Sequence, residues 1–162
     1  MFANRLVDIA SREVGVREKP KNSNRGPRVD EYQRADWIDG VGYSWCASFI
    51  CWLIMMAREM VEGEEFTWKR PRTAGAWDFE RWANAQKGKG VKLIKNPKAK
   101  DFQVGDIVVF KFSHIGLCVG ESDDNTIPTI EGNTDDSGSR EGGGVYEKVR
   151  SINKVRSIIR II

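Results

Sequence analysis

The chain has a single histidine and three cysteines, and their positions predict a cysteine nucleophile paired with an imidazole base. His114 opens a run, His-Ile-Gly-Leu-Cys-Val-Gly, that alternates like a β-strand. Far upstream, Cys46 stands at the predicted start of an apolar helix capped by Ser44. Free N–H groups and the helix dipole there favour a thiolate, and the N–H of Cys46 could stabilise an oxyanion. Because no second histidine exists, the base of such a reaction can only be His114.

A third polar group follows in the run Ile-Glu-Gly-Asn-Thr at 130–134. In a regular strand Glu131 and Asn133 share one face, and either could accept a hydrogen bond from the imidazole and fix its tautomer. Each fragment alone also has a structural explanation. Cys46 could be a core residue, His114 a satisfied interior histidine and the 130–134 run a polar turn.

The other two cysteines are not expected to take part. An odd number of cysteines argues against a disulfide framework. The chain also has no C-x-x-C pair and no second histidine, which argues against a zinc site. Cys51 lies on the same predicted helix as Cys46 but points in another direction. Cys118, between Leu117 and Val119, is predicted to be a small buried residue.

The elements that must position these residues divide into a helical half and a strand-rich half. Apolar residues at helical spacing predict helices at residues 2–15, from Pro27, at 44–61 and after Thr73. Beyond Gly90, β-branched runs bounded by turn residues predict strands at 92–94, 106–112, 114–120, 126–130, 144–149 and 155–161. Helices followed by strands favour an α+β fold with an antiparallel sheet.

Size and composition indicate one soluble domain. The 162 residues suffice for a core, and 40% hydrophobic with 30% charged residues is ordinary for a globular protein. The net charge of +3 suits an anionic polymer, but the basic residues are spread out and no nucleic-acid motif occurs, so no nucleic-acid partner is expected. Arg5 and Asp8 interrupt any signal-peptide core, which predicts synthesis in the cytoplasm. The apolar run at 45–57 is too short to span a bilayer, so no stable membrane association is expected.

Five segments, in this order and spacing, resemble the CHAP family, the cysteine- and histidine-dependent amidohydrolases/peptidases of phage endolysins and bacterial autolysins. The segments are residues 18–26, 45–52, 104–110, 114–120 and 130–134. The resemblance extends from about residue 5 to the C-terminal strands. It implies a papain-like α+β fold, with N-terminal helices packed on a C-terminal antiparallel sheet, and cleavage of amide bonds in bacterial peptidoglycan.

Carried over by motif, the resemblance implies that Cys46 is the nucleophile, His114 the base and Glu131 the group that orients the imidazole. Asn133 is the competing third member or an auxiliary polar group. Asn22 and Asn24 stand in the loop that the family places before the nucleophile. They could contribute to the oxyanion hole or contact substrate, or they could simply form a turn.

No cofactor and no metal is expected, although some CHAP domains bind calcium near the nucleophile. Asp36 and Asp39 precede Cys46, but their segment lacks the density of oxygen ligands found in a dedicated calcium loop. The protein is expected to be a monomer. One or two of its six tryptophans could stack on substrate near the cleft.

Residues 1–162 are expected to form a single CHAP-like catalytic domain with no separate cell-wall-binding domain. The expected reaction is hydrolysis of a stem- or bridge-peptide amide, or of the N-acetylmuramoyl-L-alanine amide. The enzyme would be a phage endolysin that reaches the wall after holin-type release, or a toxin injected by a secretion machine. Two alternatives are an inert wall-binding or virion structural module of the same fold, and an intracellular cysteine amidase or protease.

Overall fold

The computed structural model describes residues 1–36, 40–61, 63 and 65–162. Its helices are α1 (Phe2–Glu13), α2 (Pro27–Arg34), α3 (Cys46–Glu59) and α4 (Asp78–Ala85). Its strands are β1 (Val91–Lys95), β2 (Ile107–Phe110), β3 (Ile115–Cys118), β4 (Thr126–Thr134), β5 (Gly144–Ser151) and β6 (Val155–Ile161). The predicted α+β fold, with helices first and strands second, is confirmed.

The six strands form one antiparallel sheet in the order β1-β6-β2-β3-β4-β5. The last strand, β6, lies inside the sheet between β1 and β2. Strands β2 to β5 are neighbours in both sequence and space. Leu117 on β3 pairs with Ile130 on β4, so Gly116 lies opposite Glu131, and His114, two residues before Gly116, lies diagonally across from Glu131. This register brings two of the predicted site residues together.

The sheet buries apolar side chains on both faces. On one face α1 and α3 pack on the strands, and Leu6, Phe49 and Leu117 belong to the larger core. A smaller core of strand and loop residues covers the other face and includes Cys118, which is fully buried as predicted. Burying an aliphatic or aromatic side chain of this size stabilises the fold by about 1.5–3 kcal/mol.

Helix α3 is the central helix of the larger core, and ten of its residues are buried. The prediction that Ser44 caps it is wrong. Trp45 occupies the cap position, and the Ser44 hydroxyl instead donates to Glu141 Oε2 at 2.8 Å. Cys46 is therefore the first helical residue. None of the helices in the described ranges is long and apolar enough to cross a membrane.

Strand β4 is longer than predicted and irregular near its end. Its pairing with β5 shifts between Glu131 and Thr134, and Asn133 has a φ of 56°. The premise that Glu131 and Asn133 share the face of a regular strand is therefore wrong. A left-handed residue turns the backbone, and the two side chains find different partners.

Candidate active site

Cys46 lies where the start of α3 meets β4. The close contact between α3 and β4 depends on Gly132, because a Cβ atom there would lie 2.8 Å from the Trp45 ring and 2.9 Å from Phe49 Cβ. The Cys46 residue is 6% exposed. As the first residue of the helix, its backbone N–H has no acceptor within the helix, and the positive end of the helix dipole lies beside it.

His114 ends the tight turn between β2 and β3. The Phe110 N–H donates to the His114 carbonyl at 2.9 Å, and Ser113 within the turn has a φ of 55°. The imidazole is fully buried and stacks on the rings of Phe110 and Phe112, with centroid distances of 5.9 and 5.7 Å. The turn and the two rings fix the orientation of the imidazole.

Glu131 meets His114 in this buried position. The Nε2–H of His114 donates to Oε2 of Glu131 at 2.9 Å, and both side chains have no exposed surface. Gly116 makes the contact possible, since a Cβ there would lie 2.7 Å from Glu131 Cγ. Glu131 thus occupies the space that a side chain at position 116 would fill.

The thiol of Cys46 is a neighbour of the imidazole and raises its pKa. Burial lowers the pKa of His114, but the neighbouring Cys46 thiol and Glu131 carboxylate outweigh this and raise its pKa to about 9. Nδ1 is buried and makes no hydrogen bond to any of the described residues, so it is the ring atom free to take the thiol proton. At neutral pH the imidazole is therefore cationic between two groups that can carry negative charge.

The carboxylate of Glu131 is held by more than the imidazole. Oε1 accepts from Thr129 Oγ1 at 2.7 Å and from Arg150 Nε at 2.8 Å, and Oε2 accepts from Arg150 Nη2 at 2.5 Å. Burial raises the pKa of Glu131, but the hydrogen bonds from Arg150 and His114 lower it to about 2. The sequence analysis did not find Arg150. The one signal for it is that β5 exposes Val149 and buries its charged neighbour, which inverts the usual pattern.

The three asparagines predicted as auxiliary residues make no hydrogen bond to Cys46, His114 or Glu131 within the described residues. Asn133 is buried, and its Nδ2 donates to the Arg140 carbonyl at 3.3 Å. Asn22 and Asn24 have φ values of 61° and 53°, which fit the turn-forming alternative. The carbonyl of Asn24 accepts from Gln33 Nε2 at 3.0 Å. A role for any of them in catalysis stays a prediction.

A cavity of about 600 Å³ opens between residues 17–22 and the loop 135–143. Glu18, which lines it, accepts a hydrogen bond from Trp45 Nε1 at 2.9 Å. The loop 135–143 supplies Glu141, the partner of Ser44. Both contacts reach residues immediately before Cys46, so the loop borders the approach to the thiol.

The thiols of the remaining two cysteines, Cys51 and Cys118, are buried and have raised pKa values. Burial raises the pKa of Cys51 to about 12, and its thiol donates to the Thr73 carbonyl at 3.5 Å. Burial likewise raises the pKa of Cys118 to about 11, and its thiol donates to the Gly120 carbonyl. Neither forms a thiolate readily at neutral pH.

Of the two aspartates considered for calcium, Asp36 lies in the described part of the chain. Asp36 accepts hydrogen bonds from Ser48 Oγ at 2.6 Å and from Tyr43 Oη at 2.9 Å, whereas Asp39 lies outside the described residues. The described residues contain no group of three or more His, Cys, Asp or Glu side chains that could hold a metal ion.

Among the tryptophans, Trp77 has the largest exposed fraction in the described part of the chain, 43%. Its Nε1 donates to the Phe110 carbonyl at 2.9 Å, beside the His114 turn. Three others, Trp45, Trp52 and Trp68, are buried. Trp82 is partly buried, and Trp37 lies outside the described residues.

An α+β fold that joins a cysteine at a helix start to a histidine and a carboxylate on a sheet defines a papain-like arrangement. The family model of the CHAP domain matches residues 38–133, which include Cys46, His114 and Glu131. The chain belongs to the CHAP domain family.

The fold is similar to that in the crystal structure of a wild-type endolysin, LysIME-EF1, with a TM-score of 0.56 and 15% sequence identity. The alignment covers 98% of this chain and 63% of the endolysin chain. Because the identity is so low, this likeness shows the fold and nothing further. No curated protein matches the sequence of this chain.

Proposed function

We propose that the protein hydrolyses an amide bond of bacterial peptidoglycan through Cys46, His114 and Glu131. The observation that carries the proposal is the buried His114 ring, which is bonded to Glu131 through Nε2 and whose pKa is raised by the neighbouring Cys46 thiol. Membership of the CHAP family supports a cysteine amidohydrolase or peptidase. The wall as substrate follows from the same family and is consistent with the fold of LysIME-EF1.

In the acylation step, the Cys46 thiolate attacks the carbonyl carbon of the amide and its sulfur–carbon bond forms. The backbone N–H at the start of α3 donates to the developing oxyanion. The protonated His114 gives its proton to the amine as the carbon–nitrogen bond breaks, and Glu131 holds the ring in place. The products are a free amine and a thioester.

In the deacylation step, the now neutral His114 takes a proton from a water molecule. The resulting hydroxide attacks the thioester carbon, and the Cys46 thiolate leaves. This restores the thiolate–imidazolium pair and releases a carboxylate. Every step uses side chains and backbone of this chain, and none requires a metal.

Substrate must still reach a thiol that is almost covered. Cys46 is 6% exposed, and the loop 135–143 is joined to the residue two positions before it through the Ser44–Glu141 hydrogen bond. In the proposed cycle this hydrogen bond breaks and the loop moves when the peptide binds. Loops that cover an active site commonly open and close within microseconds to milliseconds.

The decisive experiment is a turbidity assay on purified cell walls with wild-type protein and the Cys46→Ala variant. Clearing by the wild type and its loss in Cys46→Ala would support the proposal, and unchanged clearing would contradict it. Cys118→Ala is the matched control and should retain activity, because the Cys118 thiol donates to the Gly120 carbonyl and not to His114 or Glu131.

Mass spectrometry of the digested walls would identify the bond. A new amino terminus on a stem or bridge residue identifies an endopeptidase, whereas a freed lactyl carboxylate identifies an amidase. Binding to walls with no released product would instead support an inert module. Cleavage of a soluble protein, with none of walls, would support an intracellular protease.

The remaining expectations belong to the same proposal. Residues 1–162 would act as one catalytic domain and as a monomer, without metal. Release through a membrane lesion or injection would bring the protein to its substrate. Size-exclusion chromatography with light scattering would test whether the protein is a monomer, and a wall assay with and without chelator would test whether it acts without metal.

A further inference from the structure

Arg150 is a buried cation attached to the side of Glu131 away from the thiol. The residue lies on β5 and is 7% exposed. Its Nε and Nη2 atoms donate to the two oxygens of Glu131 at 2.8 and 2.5 Å. This paired contact is one that a guanidinium makes and a lysine ammonium cannot. Arg150 therefore fixes both the charge and the rotation of the carboxylate.

The four hydrogen bonds to Glu131 show what Arg150 contributes. Thr129 and His114 each donate one of these bonds, and Arg150 donates the other two. A buried carboxylate that lost the two bonds from Arg150, and the cation with them, would favour its neutral form. A protonated Glu131 would be a weaker acceptor for the imidazolium that the reaction requires.

Arg150 and His114 also share a packing surface. The Arg150 Cζ atom lies 5.4 and 5.3 Å from the ring centroids of Phe110 and Phe112. The His114 ring stacks on the same two rings. His114 and Arg150, the two charged partners of Glu131, are therefore held by one pair of aromatic side chains, so a displacement of the guanidinium would disturb the imidazole as well.

The third nitrogen of Arg150 reaches the loop 135–143. Nη1 donates to the Gly138 carbonyl at 3.0 Å. Gly138 has a φ of 80°, and a Cβ there would lie 2.6 Å from Nη1, so this contact depends on glycine. The same loop bonds to Ser44 through Glu141. The loop thus contacts both the carboxylate side and the nucleophile side of the site.

We propose that Arg150 is a positioning residue, which holds Glu131 as an ionised acceptor for His114 and couples that acceptor to the loop 135–143. This inference rests on the proposed function and adds a residue to its site. In the described part of the chain, the charged groups that face Glu131 are His114 before β3 and Arg150 on β5. Cys46 on α3 faces Glu131 across the imidazole.

The test measures the reactivity of the thiol, which does not depend on knowing the substrate. The rate at which iodoacetamide alkylates Cys46 is followed from pH 3 to pH 9 by peptide mapping, in wild type, Arg150→Met and Arg150→Lys. Loss of the cation raises the pKa of Glu131, so the ionised carboxylate disappears at a higher pH as the solution is acidified. We call the low-pH part of the profile, where the alkylation rate falls, the acid limb. We expect this limb to lie about one pH unit or more higher in Arg150→Met than in wild type, so that the alkylation rate at a given pH on the limb is about tenfold lower. Arg150→Lys should shift it less.

Arg160→Met is the matched control. Arg160 makes the same paired contact with Asp106, at 2.8 Å for both bonds, away from the site. We expect this variant to lose stability and to keep the wild-type alkylation profile. If Arg150→Met does not fold, the acid limbs of Arg150→Lys and Gly138→Ala test the role of Arg150. Gly138→Ala serves because it displaces the guanidinium without removing it.

The outcomes separate this inference from the proposed function. The role of Arg150 would be overturned if the acid limb coincided with that of wild type in every folded variant at positions 150 and 138. It would also be overturned if the limb moved as far in Arg160→Met. A shifted limb in a protein that clears no walls would refute the wall substrate and support Arg150. Wall clearing with an unshifted limb would support the function and refute Arg150.

Discussion

Gly116 and Glu131 lie opposite each other on β3 and β4, so close that a methyl group on Gly116 would lie 2.7 Å from Glu131 Cγ. Because Gly116 has no side chain, Glu131 can occupy the space in which one would lie. Glu131 can therefore reach Nε2 of His114 only while position 116 is glycine. The site consequently depends on a residue that bears no functional group.

Gly116→Ala tests this relationship. We expect the variant to displace Glu131, to lower the unfolding free energy by about 1–3 kcal/mol and to lower the His114 pKa from about 9. Since the chain has one histidine, its imidazole C–H signals in an NMR pH titration report this pKa directly. Gly120→Ala is the control, because a Cβ there meets Pro128 at 2.8 Å and not Glu131. A His114 pKa that is unchanged in Gly116→Ala would contradict the relationship.

Glu131→Gln keeps the size of the side chain and removes its charge. We expect the pKa of His114 to fall, since its ionic partner is lost, and turnover to fall by about 10²–10⁴-fold. The buried Arg150 would also lose its counter-ion, so the variant should be destabilised by about 3–5 kcal/mol. NMR titration and wall-clearing rates measure the two effects. Wild-type turnover in this variant would remove Glu131 from the mechanism.

The stability of the fold should depend on pH in two windows. The pKa of His114 is raised from 6.5 to about 9, so its stabilisation is complete below pH 6.5 and is lost as pH rises towards 9. The pKa of Glu131 is lowered from 4.5 to about 2, so its stabilisation is complete above pH 4.5 and is lost as pH falls towards 2.

Urea denaturation at pH 3, 5.5 and 9 should therefore show the largest unfolding free energy at pH 5.5. Cys46→Ala removes one of the groups that raise the His114 pKa, so it should reduce the loss of stability between pH 5.5 and 9. An unfolding free energy that is equal at pH 5.5 and 9 in the wild type would be inconsistent with a buried imidazolium.

Ser44→Ala tests whether the loop 135–143 limits access to the thiol. Without the hydrogen bond to Glu141, the loop should open more often, and the alkylation rate of Cys46 at neutral pH should rise several-fold. Glu147→Gln, an exposed charge change on β5, serves as the control and should leave the rate unchanged. A Ser44→Ala rate equal to wild type would show that this contact does not limit access.

The parts of the fold that depend on local sequence were predicted well. Apolar spacing located the four helices, and β-branched runs located the six strands of the described chain, because each pattern reflects the face that an element buries. Motif spacing selected Cys46, His114 and Glu131, and the structure brings these three together. The predictions were wrong at the ends of two elements. Ser44 is not the cap of α3, and β4 continues past Ile130.

Arg150 and the loop 135–143 could not be predicted in the same way. The contact between Arg150 and Glu131 depends on the pairing of β4 with β5, which places Arg150 opposite Ile127 and is not encoded in a short motif. The left-handed conformation of Asn133 likewise follows from how the loop rejoins the sheet. Such features arise from tertiary packing, which overrides the local pattern.

The place of β6 in the sheet has a consequence for synthesis. This strand is the last in the chain, yet it lies between β1 and β2 and hydrogen-bonds to both. A ribosome delivers residues 155–161 after every residue of the triad has emerged. We therefore expect the sheet that carries His114 and Glu131 to close between β1 and β2 only after residues 155–161 have been synthesised.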